Sequence, residues 1–182
     1  MIRIGAGVFA GRILEQPKTI KTRPLTAKVR ASIFNRLGDI EGLSVLDAYA
    51  GSGAFGIEAA SLGASHVTFI EQSRSVAQVI QRNIDTLAVA DTTIMVKSVQ
   101  EAVKSLIGES FDIILADPPY DKLNTGELEK ISQHLLGYHN RAPDCAQISS
   151  PKFKNSLRKP LTPYLIMGTI GYKRMLKCTT SA

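Results

Sequence analysis

The residues best suited to chemistry are Asp117, Pro118, Pro119 and Tyr120, which close the apolar run FDIILADPPYD (111–121). Proline fixes φ and donates no backbone hydrogen bond, so a buried strand must stop there with its acid and tyrosine rigidly aimed. These types suit a flat nucleobase that carries an exocyclic amine. Asp117, or the Pro118 carbonyl, accepts an N–H of the amine and so directs its lone pair. Tyr120 stacks on the ring, a contact worth ~1–3 kcal/mol. Such an arrangement catalyses by positioning. Taken alone, D-P-P-Y would also serve as a plain surface turn.

A second constellation lies upstream in VLDAYAGSGAFG (45–56), where Asp47 ends a strand and a glycine-rich turn follows. Gly51, Gly53 and Gly56 match G-x-G-x-x-G, and Glu71 ends the next strand 20 residues after Gly51. By spacing alone this is a dinucleotide site. Asp47 argues otherwise, because an acid before the turn repels a pyrophosphate, which prefers bare backbone N–H groups and a helix N-terminus. S-adenosylmethionine fits better, with adenosine at one end, a zwitterionic amino acid at the other and a sulfonium between. Glu71 would accept both ribose hydroxyls, a charge-assisted contact worth ~1.5–3 kcal/mol. Gly56 could instead serve only to let a helix pack close to a strand. Phe69 and Ile70 belong to the core. Methyl transfer from a sulfonium requires neither a metal nor a covalent enzyme intermediate.

The elements that must position these groups alternate in type. LSVLDAY, HVTFIE, TTIMV and FDIILAD read as strands; AFGIEAASLGA, RSVAQVIQRNIDTLA, VQEAVKSLI and TGELEKISQHLL (125–136) read as helices. That order implies βαβ units, hence an α/β fold with a mostly parallel central sheet covered by helices on both faces. Ligand crevices open beyond the carboxyl ends of such strands, which is where both constellations fall. Before the sheet, Ile2 to Leu14 alternates loosely around Gly5, Gly7 and Gly11 and predicts a short twisted hairpin. QPKTIKTRPLT (16–26) is a loop whose Thr26 caps a helix with Val29, Ile33, Phe34 and Leu37 on one face, stopped by Gly38. After Gly137, CAQIS predicts a fifth strand and YLIMGTIGYKRML a terminal hairpin, joined by the basic linker KFKNSLRKPLTP.

The charge layout points to a polyanionic partner. The net charge of +6 divides into +7 over residues 1–36, −8 over 37–150 and +7 over 151–182. Two basic ends around an acidic middle favour phosphate contacts that release counterions. Nothing approaches the ~20 apolar residues of a membrane span, and MIRIGAGVFAGRIL lacks a secretory pattern. Cys145 and Cys178 have no metal spacing and read as reduced thiols of a cytoplasmic protein. His66, His134 and His139 share no ligand spacing either, so no metal is expected.

The segments GRIL…TRPLTAKVRASIFNRL (11–37), VLDAYAGSGAFGIEAASLGA (45–64), FIEQSR (69–74) and FDIILADPPYD resemble the RsmD family of bacterial 16S ribosomal RNA guanine-N2 methyltransferases. The resemblance implies a Rossmann-like class I methyltransferase domain over residues 25–182, preceded by an RNA-holding β-hairpin and basic loop over 1–24. It implies S-adenosylmethionine as methyl donor, S-adenosylhomocysteine as product, no metal, and 16S rRNA or the assembling small subunit as partner. The target it implies is one guanine, number 966 in the family's usual rRNA numbering, and the expected state is a monomer. Carried onto this sequence, the cofactor loop falls on Asp47, Ala50, Gly51, Ser52 and Gly53, and the ribose acid on Glu71 with Gln72 beside it. The catalytic motif falls on Asp117, Pro118, Pro119 and Tyr120. Arg23, with Pro24 and Thr26, matches the segment at the pocket mouth, and Arg3, Arg12, Arg23 and Arg30 are the RNA phosphate ligands expected. Val99 stands where the family commonly has an adenine-contacting acid, so weaker cofactor binding, or compensation by Gln100, is expected. The last 45 residues match the family poorly. N6-adenine methylation of DNA or RNA, an NAD-binding oxidoreductase and a catalytically degenerate RNA-binding protein are the alternative readings.

Overall fold

The computed structural model describes residues 1–18 and 26–117 throughout, together with the backbone strands 164–167 and 175–177. In chain order it contains β1 (Ile2–Arg3), β2 (Ile13–Leu14), α1 (Ala27–Leu37), β3 (Ser44–Asp47), α2 (Ala54–Ser61), β4 (His66–Ile70), α3 (Arg74–Leu87), β5 (Thr92–Met95), α4 (Val99–Ser105), β6 (Ile113–Ala116), β7 (Tyr164–Met167) and β8 (Met175–Lys177). The helix expected over 125–136, the strand in CAQIS, the basic linker, Arg23, Pro24, Pro118, Pro119 and Tyr120 lie outside the described residues.

β1 and β2 pair antiparallel as the expected hairpin. The remaining strands form one six-stranded sheet in the order β5-β4-β3-β6-β7-β8. Its first four pairings are parallel, and β7 with β8 is antiparallel, so the expected terminal hairpin closes the sheet. The order reverses between β3 and β6, which is the topological switch point where such sheets open a crevice.

Side chains along a strand alternate between faces, and the core divides accordingly. Val45, Phe69, Ile113 and Leu115 pack with Phe34, Phe55, Ile57, Ile80 and Ile84 on the face covered by α1, α2 and α3. Leu46, Ile70, Ile114 and Ala116 pack with Ala102 and Val103 of α4, and with Leu106 just after it, on the other. Gly56 permits the close approach of α2 to β4: a Cβ there would sit 2.9 Å from Phe69 Cζ and collide with Cε1 of the same ring.

α1 begins as its sequence requires, with the Val29 N–H donating to Thr26 Oγ1 at 3.4 Å, and it ends at Gly38, whose φ of 76° few other residues adopt. Its buried stripe differs from the expected one. Val29 is exposed, and Arg30 takes the buried place beside Phe34 and Leu37. An apolar pattern overlooks Arg30 because its partner is 28 residues away: Arg30 Nε donates to Glu58 Oε2 at 2.7 Å, with both side chains essentially excluded from water.

The hairpin is fastened to α1 and α2 by polar groups. Gly5 N–H donates to Glu58 Oε1 at 3.2 Å, Arg30 Nη2 to the Arg3 carbonyl at 2.7 Å, and Phe9 N–H to Ser61 Oγ at 2.9 Å. Ser61 Oγ donates in turn to the Ala6 carbonyl at 2.6 Å. Ile2, Ile4 and Leu14 enter the same core cluster as Phe34 and Ile57.

Candidate active site

Parallel pairing brings the carboxyl ends of β3, β4 and β6 to one rim. Asp47 stands in register with Phe69 on one side and Leu115 on the other, so Glu71 and Asp117 each follow two residues beyond its neighbours. The turn after β3 carries Ala50, Gly51, Ser52 and Gly53, with Gly51 and Gly53 at φ 54° and 76°, a region favouring glycine.

Each glycine of the G-x-G-x-x-G pattern has its N–H engaged by the protein. Gly51 donates to Glu71 Oε2 at 3.0 Å, Gly53 to the Ala50 carbonyl at 2.7 Å, and Gly56 to Asp47 Oδ2 at 2.9 Å. A pyrophosphate needs such groups bare. Glu71 is held from a second side as well, its Oε1 accepting from Ser73 N–H at 2.8 Å. The carboxylate thus ties the turn after β3 to the turn after β4 and remains part-exposed, with lone pairs left for hydroxyl donors.

Burial sets the acid chemistry of the rim. Asp47 is 2% exposed, and its carboxyl is pushed up to about 7 by removal from water, opposed by the Gly56 hydrogen bond and reinforced by the charges of Asp117 and Glu71. Asp117 is raised to about 6, also by burial. A cationic ligand group at this rim would meet three carboxylates and no opposing base among the residues just named. An anionic one would be repelled.

Ala50 and Ser52 are buried within the turn, and Gln72 is exposed at the start of the next loop. Val99, at the first position of α4, rests half-buried against the cluster that contains Ile70 and Ala102. Beside it, Ser98 and Glu101 form a reciprocal capping box. Arg3 and Arg12 are exposed on the hairpin, with Arg3 Nη1 donating to the Gly11 carbonyl at 2.7 Å. Arg30 must be withdrawn from the phosphate ligands, because its guanidinium is spent on Glu58 and the Arg3 carbonyl inside the protein.

Sequence reasoning missed Glu58, Ser61 and Asn83. A signal was present for Glu58 and Asn83. Glu58 is the one charge within the apolar helix AFGIEAAS, and Asn83 falls three residues after Ile80 on the buried stripe of α3. No group of three or more metal-ligating side chains occurs among the described residues, and no described helix is long and apolar enough to cross a membrane.

The sheet order, the glycine-rich turn after β3 and the acids at the rim define a Rossmann-like class I methyltransferase fold. A putative methyltransferase from Escherichia coli, yhhF, superposes with a TM-score of 0.65 at 30% identity over 74% of each chain. The chain belongs to the RsmD family, whose model, described as "Conserved hypothetical protein 95", matches residues 2–141. Ribosomal RNA small subunit methyltransferase D of Escherichia coli K12 is 38% identical over 120 residues, covering 65% of this chain and 60% of that protein. The putative rRNA methyltransferase YlbH of Bacillus subtilis is 36% identical over 125 residues, covering 65% and 67%.

Proposed function

We propose that this chain methylates the exocyclic N2 of a guanine in small-subunit rRNA, guanine 966 in the family's usual numbering, with S-adenosylmethionine as donor. The observation that carries this reading is the convergence of Asp47, the glycine-rich turn, Glu71 and Asp117 at one rim, in a chain related to a small-subunit rRNA methyltransferase. The donor set favours that cofactor over a dinucleotide, since acids line the rim and the glycine amides are already engaged.

When bound, S-adenosylmethionine supplies an electrophilic sulfonium methyl. Asp47 and the backbone of Ala50 to Gly53 would hold its amino-acid end, and Glu71, already oriented by Gly51 and Ser73, would accept from ribose hydroxyls. Gln72 and Val99 would flank the adenosine. Asp117 or the Pro118 carbonyl would accept one amine N–H, leaving the nitrogen lone pair facing the methyl, with Pro119 fixing the turn and Tyr120 stacking on the base. The amine proton released on N-methylation passes to Asp117 or to water. Arg3, Arg12 and Arg23 would bind phosphates flanking the target.

The test is to incubate undermethylated small subunits, and separately naked DNA, with cofactor labelled on its methyl group and then digest to nucleosides. Label in N2-methylguanosine is expected. Label in N6-methyladenine, or none in either substrate, overturns the reading.

A further inference from the structure

One buried amide joins the hairpin to the glycine-rich turn. Asn83 on α3 is 4% exposed. Its Oδ1 accepts from the Glu15 N–H at 2.8 Å, and its Nδ2 donates to the Glu15 carbonyl at 3.1 Å and to the Ser52 carbonyl at 3.3 Å. Glu15 is the first residue after β2, and Ser52 lies in the middle of the turn. These partners fix the orientation of the amide, because exchanging its O and N would set oxygen against two carbonyls and nitrogen against an N–H.

The neighbouring residues share the arrangement. Arg82 holds the Glu15 carboxylate at the surface through two bonds of 2.9 and 2.8 Å. Ile80, three residues before Asn83, lies under the turn, where a Cβ on Gly53 would come 3.0 Å from its Cγ2. One face of α3 is thus the floor on which the turn rests. The turn is held there by Asn83 at the Ser52 carbonyl and from the far side by Glu71 at the Gly51 N–H.

We propose that Asn83 is a positioning residue through which docking of the N-terminal hairpin sets the conformation of the glycine-rich turn, and so sets cofactor affinity. The inference rests on the reading of that turn as the S-adenosylmethionine site. Without the amide, a buried carbonyl in the turn loses its donor and the Glu15 backbone loses both of its partners on α3. Because binding free energies are reciprocal, cofactor on the turn must in return steady the Glu15 end of the hairpin.

The test uses the full chain. S-adenosylmethionine binding is measured by calorimetry for the wild type and for Asn83→Ala, Asn83→Asp and Arg82→Ala, with kcat and cofactor KM determined on the subunit substrate. Asn83→Asp keeps an acceptor for the Glu15 N–H but offers no donor to Ser52. Both Asn83 variants are expected to raise cofactor Kd and KM about tenfold, the equivalent of one hydrogen bond, while kcat changes by less than about twofold. Arg82→Ala should leave Kd within about twofold, since its ion pair is exposed. In the wild type, saturating cofactor should slow amide hydrogen exchange at Glu15 about fivefold but leave Phe9, held by Ser61 elsewhere on the hairpin, within about twofold. Unchanged cofactor Kd in folded Asn83 variants, or Glu15 exchange indifferent to cofactor, overturns the inference. If neither variant folds, the wild-type exchange measurement decides alone. A wild type that fails to bind S-adenosylmethionine refutes the proposed function, which is a separate readout.

Discussion

Replacing Arg30 with methionine is expected to unfold the protein far more readily, not to weaken the proposed contact with RNA. Methionine fills much of the same volume but leaves the Glu58 carboxylate, 0% exposed, without its countercharge and removes the donor from the Arg3 carbonyl. Breaking a buried, hydrogen-bonded pair on one side costs about 3–5 kcal/mol, because the remaining charge is stranded. Domains have only ~5–15 kcal/mol in total, so the loss is a large share of it. With a urea slope near ~2 kcal/mol per molar, the unfolding midpoint should fall by about 2 M. Urea titration followed by circular dichroism measures this directly. The pair Arg30→Met with Glu58→Leu should be more stable than the two single losses added together, by ~0.5–3 kcal/mol, because no charge is left buried alone. A midpoint within about 0.3 M of wild type would refute the reasoning. So would a fall in the salt slope of RNA binding for Arg30→Met equal to that of Arg3→Ala or Arg12→Ala, each expected to remove about one phosphate contact.

Asp47, raised to about 7 from 3.8 by burial, binds a proton in the folded chain that the unfolded chain has released above pH 4. Its contribution to stability is therefore complete below that value and is lost as the pH rises through about 7; Asp47→Asn should flatten stability over this window in thermal melts. Asp117→Ala should abolish turnover with little change in cofactor Kd, and wild-type kcat/KM should rise with pH through about 6 as the carboxylate forms. A collapse of cofactor affinity in that variant would misplace the residue. Glu71→Gln retains one acceptor where Gly51 and Ser73 each use an oxygen, so calorimetry should show a cofactor Kd about tenfold higher. Gly56→Ala pushes a methyl into Phe69, itself 0% exposed, and should cost ~1–3 kcal/mol, seen as a melting temperature lower by roughly 5 °C; an unchanged melt would mean that α2 can back away.

The sheet was legible because its strands are short apolar runs separated by helices with their own period. β3, β4, β5 and β6 all fall inside the stretches read as strands. The rim was legible for the same reason, since a strand that ends in Asp47, Glu71 or Asp117 announces where its carboxyl end lies. Polar residues with distant partners were not legible. Arg30 looked like surface because charge normally is, and only the fold shows Glu58 waiting 28 residues on. Nor could spacing reveal that Glu71 serves the backbone of its own turn as well as a prospective ligand. The third glycine illustrates the reverse, a motif position whose purpose at Gly56 is packing against Phe69.

The fastening of the first fifteen residues to α2 and α3 carries a consequence for biosynthesis. Gly5 must meet Glu58 and Glu15 must meet Asn83, separations of 53 and 68 residues. This segment leaves the ribosome before α2 and α3 yet has nowhere to settle until α3 has followed it out. Ile2, Ile4 and Leu14, buried once the hairpin docks, stay in water meanwhile, so slowing translation before α3 should lengthen the nascent chain's exposure to chaperones and proteases, whereas a pause after it should not.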